Sequence, residues 1–477
     1  AIFFVLGVIL AAGAPNPPSC DCNGHRPPPA QRQFNSSAVE DLLASYLPRF
    51  MDPNLAKLFE NTLPNCLDTT VVTATRDDSF VITGDIEAMW LRDSTNQVLP
   101  YLPLAAKDIP LKDMICGVIK RQTQSVLLDR YANAFNYDAS GAGHQDDQVT
   151  TSPGVSWCSK GGVFENKYEL DSLINTLKLA TAYYNSTGDL SCFQEMGSSY
   201  VASIKAVLDT VTAQQAGTDE DFTNPTYTFK RQTDTATDTL INNGRGVPAK
   251  RCGLSKAYFR GSDDAVKLPF NVPANAFAAV ELAKICVLLT ELGGEAAALA
   301  STAADLSQQI EAALKREAVV GSNSASFYAY EVDGFGNYYF MDDANIPSLL
   351  SLPYLGFVAK SDPVYLETRR RVLSTATNPW FFAGKAAAGV GGPHQGTNMV
   401  WPMAIIMQAL TSDSDTEIAE CLDILKSTHN NMFFIHESFN KDKESTYTRK
   451  WFSWANSLFG ELILTLARER PHLIFKS

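Results

Sequence analysis

Residues 272–317, VPANAFAAVELAKICVLLTELGGEAAALASTAADLSQQIEAALKRE, carry two amphipathic helical stretches in succession, one over 272–293 and one over 295–317. Apolar residues return there at intervals of three and four, which sets them on one face of a helix. The same periodicity recurs near 36–50, 54–62, 86–99, 109–132, 165–186, 190–215, 362–375, 398–411, 414–429 and 452–469. That makes about a dozen helices, the number that six helical hairpins require, and periodicity alone predicts a mostly α chain. Two strand-like insertions interrupt the pattern, Thr69 to Thr83 and Ser326 to Met341, the second turning at Asp333 to Asn337. Both lead into segments dense in polar and aromatic side chains, as loops that build a site do.

The chain has 477 residues, 45% of them hydrophobic and 19% charged, enough to bury a large core. No Pro/Gly/Ser-rich linker interrupts it after residue 35, so residues 35–477 are expected to form one domain. A formal net charge of −13 with no basic stripe argues against nucleic acid, and a neutral glycan fits better. The apolar run Ile2 to Ala12, followed by Ala12-Gly13-Ala14, reads over residues 1–14 as part of a signal peptide or signal anchor, although Pro15 disfavours cleavage. Residues 15–34 are Pro-rich and read as a tether. On this reading the protein is secreted or anchored in the lumen of the secretory pathway, any membrane contact being through the N-terminal anchor. Nine cysteines and the sequons at Asn35 and Asn185 are compatible with that compartment.

Four segments concentrate chemistry. In residues 431–457, Glu437 lies beside His436 among Phe433, Phe434, Phe439, Trp451 and Trp454; a carboxylate among aromatic faces suits a sugar ring, and a buried pair with Arg449 or Lys450 is the plainer reading. GDIEAMWLRDS at 84–94 holds Asp85, Trp90, Arg92 and Asp93. If a helix begins at 86, Asp85 caps it. The segment from Tyr258 contains Arg260, Asp263 and Asp264 and leads to Asn275; crowding or burial of two adjacent carboxyls lets one stay protonated near neutral pH, whereas an exposed acidic turn needs no function. GPHQGTNMVWP at 392–402 is a glycine-containing loop carrying His394, Gln395 and Trp401. Asp342 reads as an acceptor for a sugar hydroxyl, and Asp146-Asp147 as a solvated loop. The six histidines show no HExxH or paired spacing and the acidic pairs no regular calcium loop, so no metal and no other cofactor is expected.

Taken in order, GDIEAMWLRDS, KYELDSL (167–173), FRGSDDA (259–265), MDDANIPSLL (341–350), GPHQGTNMVWP and HESFN with WFSWANSLFGEL resemble glycoside hydrolase family 125, the exo-acting α-1,6-mannosidases, across roughly Asn35 to the C-terminus. The resemblance implies an (α/α)6 barrel with small β-hairpin insertions near the active site. It also implies metal-independent, inverting hydrolysis of terminal α-1,6-linked mannose, with α-mannoside glycans as partners and a monomeric chain. It places the general acid in the SDD motif, at Asp264 in preference to Asp263, and the base at Glu437. The remaining motif residues, Asp85, Trp90, Arg92, Asp93, Arg260, Asp263, Asn275, Asp342, His394, Gln395 and Trp401, are then candidates for substrate binding. Gly261 stands where family members often carry proline, a difference in loop geometry. Inversion needs the two carboxyl groups about 6.5–9.5 Å apart with room for water, retention about 5–5.5 Å. Two alternatives are a helical-barrel glycosidase of other sugar specificity and a glycan-binding protein without activity.

Overall fold

The computed structural model describes residues 24–151, 161–221, 223–322 and 325–476. The signal or anchor segment and the first part of the tether lie outside them. The principal helices are α1 (Ser37–Tyr46), α2 (Pro53–Thr62), α3 (Leu91–Val98), α4 (Ile109–Leu128), α5 (Leu170–Thr187), α6 (Ser198–Ala213), α7 (Val272–Leu292), α8 (Gly294–Glu317), α9 (Leu352–Leu355), α10 (Pro363–Val372), α11 (Pro402–Leu410), α12 (Asp415–Ser427) and α13 (Ser453–Glu469). The chain is mostly helical, with small two- and three-stranded antiparallel sheets between helices.

Many of these helices begin where the sequence supplies a cap. Ser36, Asp52, Asp108, Asn271, Asp362 and Ser414 each accept a backbone N–H of the first turn through a side-chain oxygen, and proline occupies the first or second position of α2, α4, α7, α10 and α11, where its missing N–H costs no hydrogen bond. Helix α7 is long and apolar enough to cross a bilayer, yet 72% of its most apolar window is buried inside the fold. It is a core helix, apolar nearly all round because neighbours surround it.

Helices α11, α13, α3, α5, α7 and α9 pack in that order, each on the next from α11 to α13 and on through α3, α5 and α7 to α9. Helices α4, α6, α8 and α12 lie outside them, α4 against α6 and α6 against α8, while α12 reaches α2. Polar ties fix the join between the N- and C-terminal parts: Gln97 Nε2 donates to Ser453 Oγ at 2.8 Å, Ser457 Oγ to the Gln97 carbonyl at 3.0 Å and Asn456 Nδ2 to Asn65 Oδ1 at 2.9 Å, all buried.

The structure departs from the sequence expectations in three places. Residues 86–90 are not helical: Met89–Trp90 pairs with Ala134–Phe135, which pairs with Val163–Glu165, so a non-local sheet holds this stretch extended and Asp85 caps nothing. Residues 24–34, expected to be tether, are held on the domain. Arg26 bridges Glu40 and Asp68 at 2.6 and 2.7 Å, and the backbone N–H groups of Gln33 and Phe34 donate to the carbonyls of Asp68 and Leu67. Asp147, expected to be solvated, is buried against Arg231 at 2.6 Å; only Asp146 is exposed.

Candidate active site

The segments that precede the central helices converge on one cleft. Trp90, Glu169, Trp401 and Phe452 are the N-cap residues of α3, α5, α11 and α13, so backbone that has just turned from extended to helical points its side chains to the same end of the bundle. Helix N-termini gathered there favour negative charge. The cleft is walled by Trp90, Trp401, Phe452 and Trp454 and carries Arg92, Asp93, Asp263, His394, Glu437 and Arg449, with Thr83, Ile86, Gly261, Ser262 and Asn345 completing it. The indole N–H groups of the three tryptophans have no hydrogen-bond partner in the protein.

Glu437 is 3% exposed. Gln395 Nε2 donates to its Oε2 at 2.8 Å and Arg449 Nε approaches Oε1 at 3.6 Å, so Glu437 lines the cleft and is also paired with Arg449, as the plainer reading expected. Behind it His436 stacks on Tyr447, with ring centres 3.9 Å apart and Nδ1 2.9 Å from the Arg449 carbonyl; burial lowers the imidazole's proton affinity. Arg449 also reaches exposed Asp85 at 3.3 Å, which places Asp85 at the rim through its partner. Gly84, at φ +136°, lies beneath Trp451, where a Cβ would come within 2.9 Å of the indole. Of the aromatics near Glu437, Phe434 and Phe439 belong to the core and Phe433 packs on His429.

Opposite in the sequence stands the turn Arg260–Asp264, closed by a bridge between Phe259 and Ala265. Asp263 adopts φ +66° at its tip, and it is Asp263 that lines the cleft. Arg92 Nη2 lies 3.3 Å from its Oδ1, and Lys167 Nζ donates to its carbonyl at 2.8 Å. Burial works to raise its proton affinity, but Arg92, with Lys167 and His394, holds it below the usual carboxylate range. Asp264 is 3% exposed and does not appear among the cleft-lining residues; burial raises its proton affinity against the pull of His394.

Arg92 is the hub. Beside Asp263 it meets Glu169 at 2.5 Å, Asp93 at 3.5 Å and Asp171 at 3.7 Å, all buried. Burial pushes Asp93 and Asp171 up to about 6, each opposed by Arg92, and pushes Glu169 well above the usual range. Glu169 and Asp171 come from the KYELDSL stretch, which carried no individual assignment; its three charged residues around an apolar pair were the available signal.

Three expected site residues serve the framework instead. Asp342 is fully buried and accepts the backbone N–H groups of Leu349 and Leu350 at 2.7 and 2.9 Å, with burial pushing it up to about 8. Its neighbour Asp343 does the work near the cleft: it accepts Ser262 Oγ at 2.8 Å and Asn345 N at 3.1 Å, and packs so close to Gly392 that a Cβ there would meet it at 3.0 Å. Asn275 pairs its amide with the backbone of Ser255 at 2.8 and 2.9 Å. Arg260 is buried on Glu331 at 2.7 Å, where Glu331 also accepts two backbone N–H groups. Arg260 faces a second cavity of about 610 Å³, walled by Leu240, Val247, Tyr339, Met341 and Trp380, that shares the 260–266 turn and Pro393–His394 with the cleft. Gln395 touches Glu437 and does not line the cleft. Among the described residues, no group of three or more His, Cys, Asp or Glu side chains is placed to hold a metal ion.

A tryptophan-walled cleft with carboxyl groups on separate segments, set at the ends of packed helices, is the site of a glycoside hydrolase. Known proteins define it further. The family model described as metal-independent alpha-mannosidase (GH125) matches residues 52–464. The chain belongs to that family, glycoside hydrolase family 125. It is 43% identical over 469 residues to the Meiotically up-regulated gene 157 protein of Schizosaccharomyces pombe, covering 95% of this chain and 90% of that protein. A metal-independent α-mannosidase of Streptococcus pneumoniae, solved in a non-productive substrate complex with α-1,6-mannobiose, superposes with a TM-score of 0.84 at 37% identity, covering 92% of this chain and all of that one. A bacterial glucoamylase complexed with acarbose shares the fold at a TM-score of 0.53 and 10% identity, over 88% of this chain and 57% of its own.

Proposed function

We propose that the protein removes non-reducing terminal α-1,6-linked mannose from glycans by inverting hydrolysis, acting as a monomer on an (α/α)6 barrel whose six inner helices are α3, α5, α7, α9, α11 and α13. The observation that carries this is the pairing, in one aromatic cleft, of Asp263 and Glu437 on segments far apart in the chain. The S. pneumoniae relative, with α-1,6-mannobiose in its complex, supplies the linkage.

In this reading Glu437, steadied by Gln395 and Arg449, takes a proton from water as it attacks the anomeric carbon. The departing oxygen receives a proton from Asp263. We move the acid from Asp264 to Asp263 because Asp263 lines the cleft, whereas Asp264, 3% exposed, does not. The three free indole N–H groups, Arg92, Asp93 and His394 are left to meet sugar hydroxyls. We also place the protein in the secretory pathway. Both sequon asparagines are exposed, and a disulfide joins Cys116 to Cys192, a bond typical of oxidising compartments.

Proton NMR of α-1,6-mannobiose with the purified protein tests the reaction. β-Mannose appearing before mutarotation supports inversion; α-mannose first means retention; no cleavage removes the linkage assignment. Asp263→Asn and Glu437→Gln are each expected to lower kcat by at least about 10²-fold, and Asp264→Asn by much less. An Asp264→Asn loss equal to that of Asp263→Asn returns the acid to Asp264.

A further inference from the structure

The acid assigned above has a difficulty: Asp263 stands beside Arg92 and near Lys167, an environment that favours its ionised form and leaves it no proton to give. The surrounding groups supply one. Four carboxyl groups, from Asp93, Glu169, Asp171 and Asp263, approach the single guanidinium of Arg92 within 3.7 Å. Of the other cations, Lys167 is engaged by Asp238 at 2.5 Å and Glu165 at 3.6 Å, while His394 and Arg449 lie on the cleft side, Arg449 ion-paired with Asp85 and Glu437. Ionising all four would crowd four carboxylates around one guanidinium, with only Lys167 and His394 acting on Asp263 and Arg449 on Asp93 from beyond it, and like charges this close resist ionising together.

Glu169 is the member placed to keep the proton within reach of the reaction. Its side chain is fully buried, and Arg92 spans both carboxyls, Nη1 to Glu169 and Nη2 to Asp263. Asn133 Nδ2 lies 3.1 Å from Glu169 Oε1 and 3.4 Å from Asp263 Oδ1, besides 2.9 Å from Glu165 Oε2, so the two facing oxygens gather about one amide donor, and the carboxyls stand within hydrogen-bonding reach of each other. Asp171, with neither oxygen hydrogen-bonded, meets Arg92 only at 3.7 Å, through the Nη1 that Glu169 holds at 2.5 Å, and lies against Gly261.

We propose that Glu169 and Asp263 are a carboxyl pair sharing one proton, and that this pair, through Asp263, supplies the proton taken by the departing sugar oxygen. The step balances: as the glycosidic bond breaks, the pair's proton passes from Asp263 to the leaving oxygen and Glu169 releases its share toward Asp263. Water gives its oxygen to the anomeric carbon and its proton to Glu437. Both carboxyls are then ionised against Arg92 until the pair regains a proton from solvent through the partly exposed Asp263, as Glu437 loses one. Glu169 acts through Asp263 and is a positioning residue. The inference rests on the reading of Asp263 as the acid.

The test is the pH dependence of kcat/KM for α-1,6-mannobiose. Glu169→Gln cannot share the proton, and its basic limb is expected to move at least one pH unit toward acid. Ser172→Ala removes a hydroxyl that donates to Glu169 Oε2 at 2.7 Å, destabilises the ionised pair and moves the limb the other way, so it also tests the idea if Glu169→Gln does not fold. Loss by one constant factor at every pH in both variants would overturn the proposal and leave Glu169 a structural residue. With 2,4-dinitrophenyl α-mannoside, whose leaving group needs no proton, the variants' limbs should coincide with wild type. An Asp263→Asn enzyme fully active on mannobiose would instead refute the acid assignment itself.

Discussion

At the scale of single residues, the recurring theme is the adjacent acid pair in which one carboxyl serves the cleft and the other the framework. Asp343 and Asp342 divide in this way, and of Asp263 and Asp264 the first lines the cleft while the second is buried with Oδ2 unpaired. The sequence marked both pairs, and the choices made within them, Asp264 and Asp342, are not the members beside the cleft, because the choice depends on one backbone torsion, such as φ +66° at Asp263, and on which neighbouring N–H groups the fold presents. Trp90, Arg92, Asp93, His394, Trp401 and Glu437 were legible because each belongs to a short dense motif. Asp342 leads to a stability prediction. Its carboxyl titrates near 8 in the folded protein against 3.8 ordinarily, so its contribution is full below about pH 4 and is lost as pH rises through 8. Denaturant unfolding at pH 5 and pH 8.5 should show wild type losing more stability across that window than Asp342→Asn; parallel losses would mean that Asp342 does not take up the proton.

Among elements, several long helices were legible almost to their ends because apolar spacing and caps coincide, as in α12, which Ser414 caps. The two hairpins expected at 69–83 and 326–341 are present, Val71–Ala74 on Ser79–Val81 and Glu331–Val332 on Tyr338–Tyr339, but the strands of the cleft were not legible. Met89–Trp90, Ala134–Phe135 and Val163–Glu165 are each two or three residues long, and they form only because distant segments meet. That pairing also overrode the helical pattern of residues 86–90. One cap ties two elements: Asp108 accepts Leu111 N at 3.1 Å for α4, and Ser36 Oγ at 2.7 Å and Ala38 N at 3.2 Å for α1. Asp108→Ala should therefore cost about 2–3 kcal/mol, more than an ordinary cap, because three donors lose their acceptor together. Burial acts to raise the Asp108 proton affinity, but these donors outweigh it and hold the carboxyl below its usual 3.8. The penalty is therefore full above pH 4 and shrinks as pH falls through the lowered value. Thermal unfolding of both proteins at pH 3 and pH 6 would show this; an equal penalty at the two pH values contradicts it.

For the whole molecule, the two ends of the described chain close on each other. Phe475 is 4% exposed, packs edge-on against Phe50 and Tyr46 at 5.1 and 5.2 Å and carries Arg49 over its face at 4.2 Å, while Met51 N and Lys476 N hydrogen-bond across the join. Phe475→Ala should cost about 3–5 kcal/mol, read as a lower midpoint in urea unfolding with the slope unchanged. A loss under 1 kcal/mol would mean that the join is not part of the cooperative unit.

The contact of α3 with α13 has a consequence in time. Helix α3 carries Arg92 and Asp93 and packs on α5 on one side and, on another, on residues 453–469. At 5–20 residues per second, synthesis reaches that partner roughly 20 to 70 s after α3 is made. Throughout that interval the apolar side of α3 and the charges around Arg92 wait without half of their surroundings. The cleft, which Phe452 and Trp454 help to wall, is complete only once those residues have been made, long after Arg92 and Asp93.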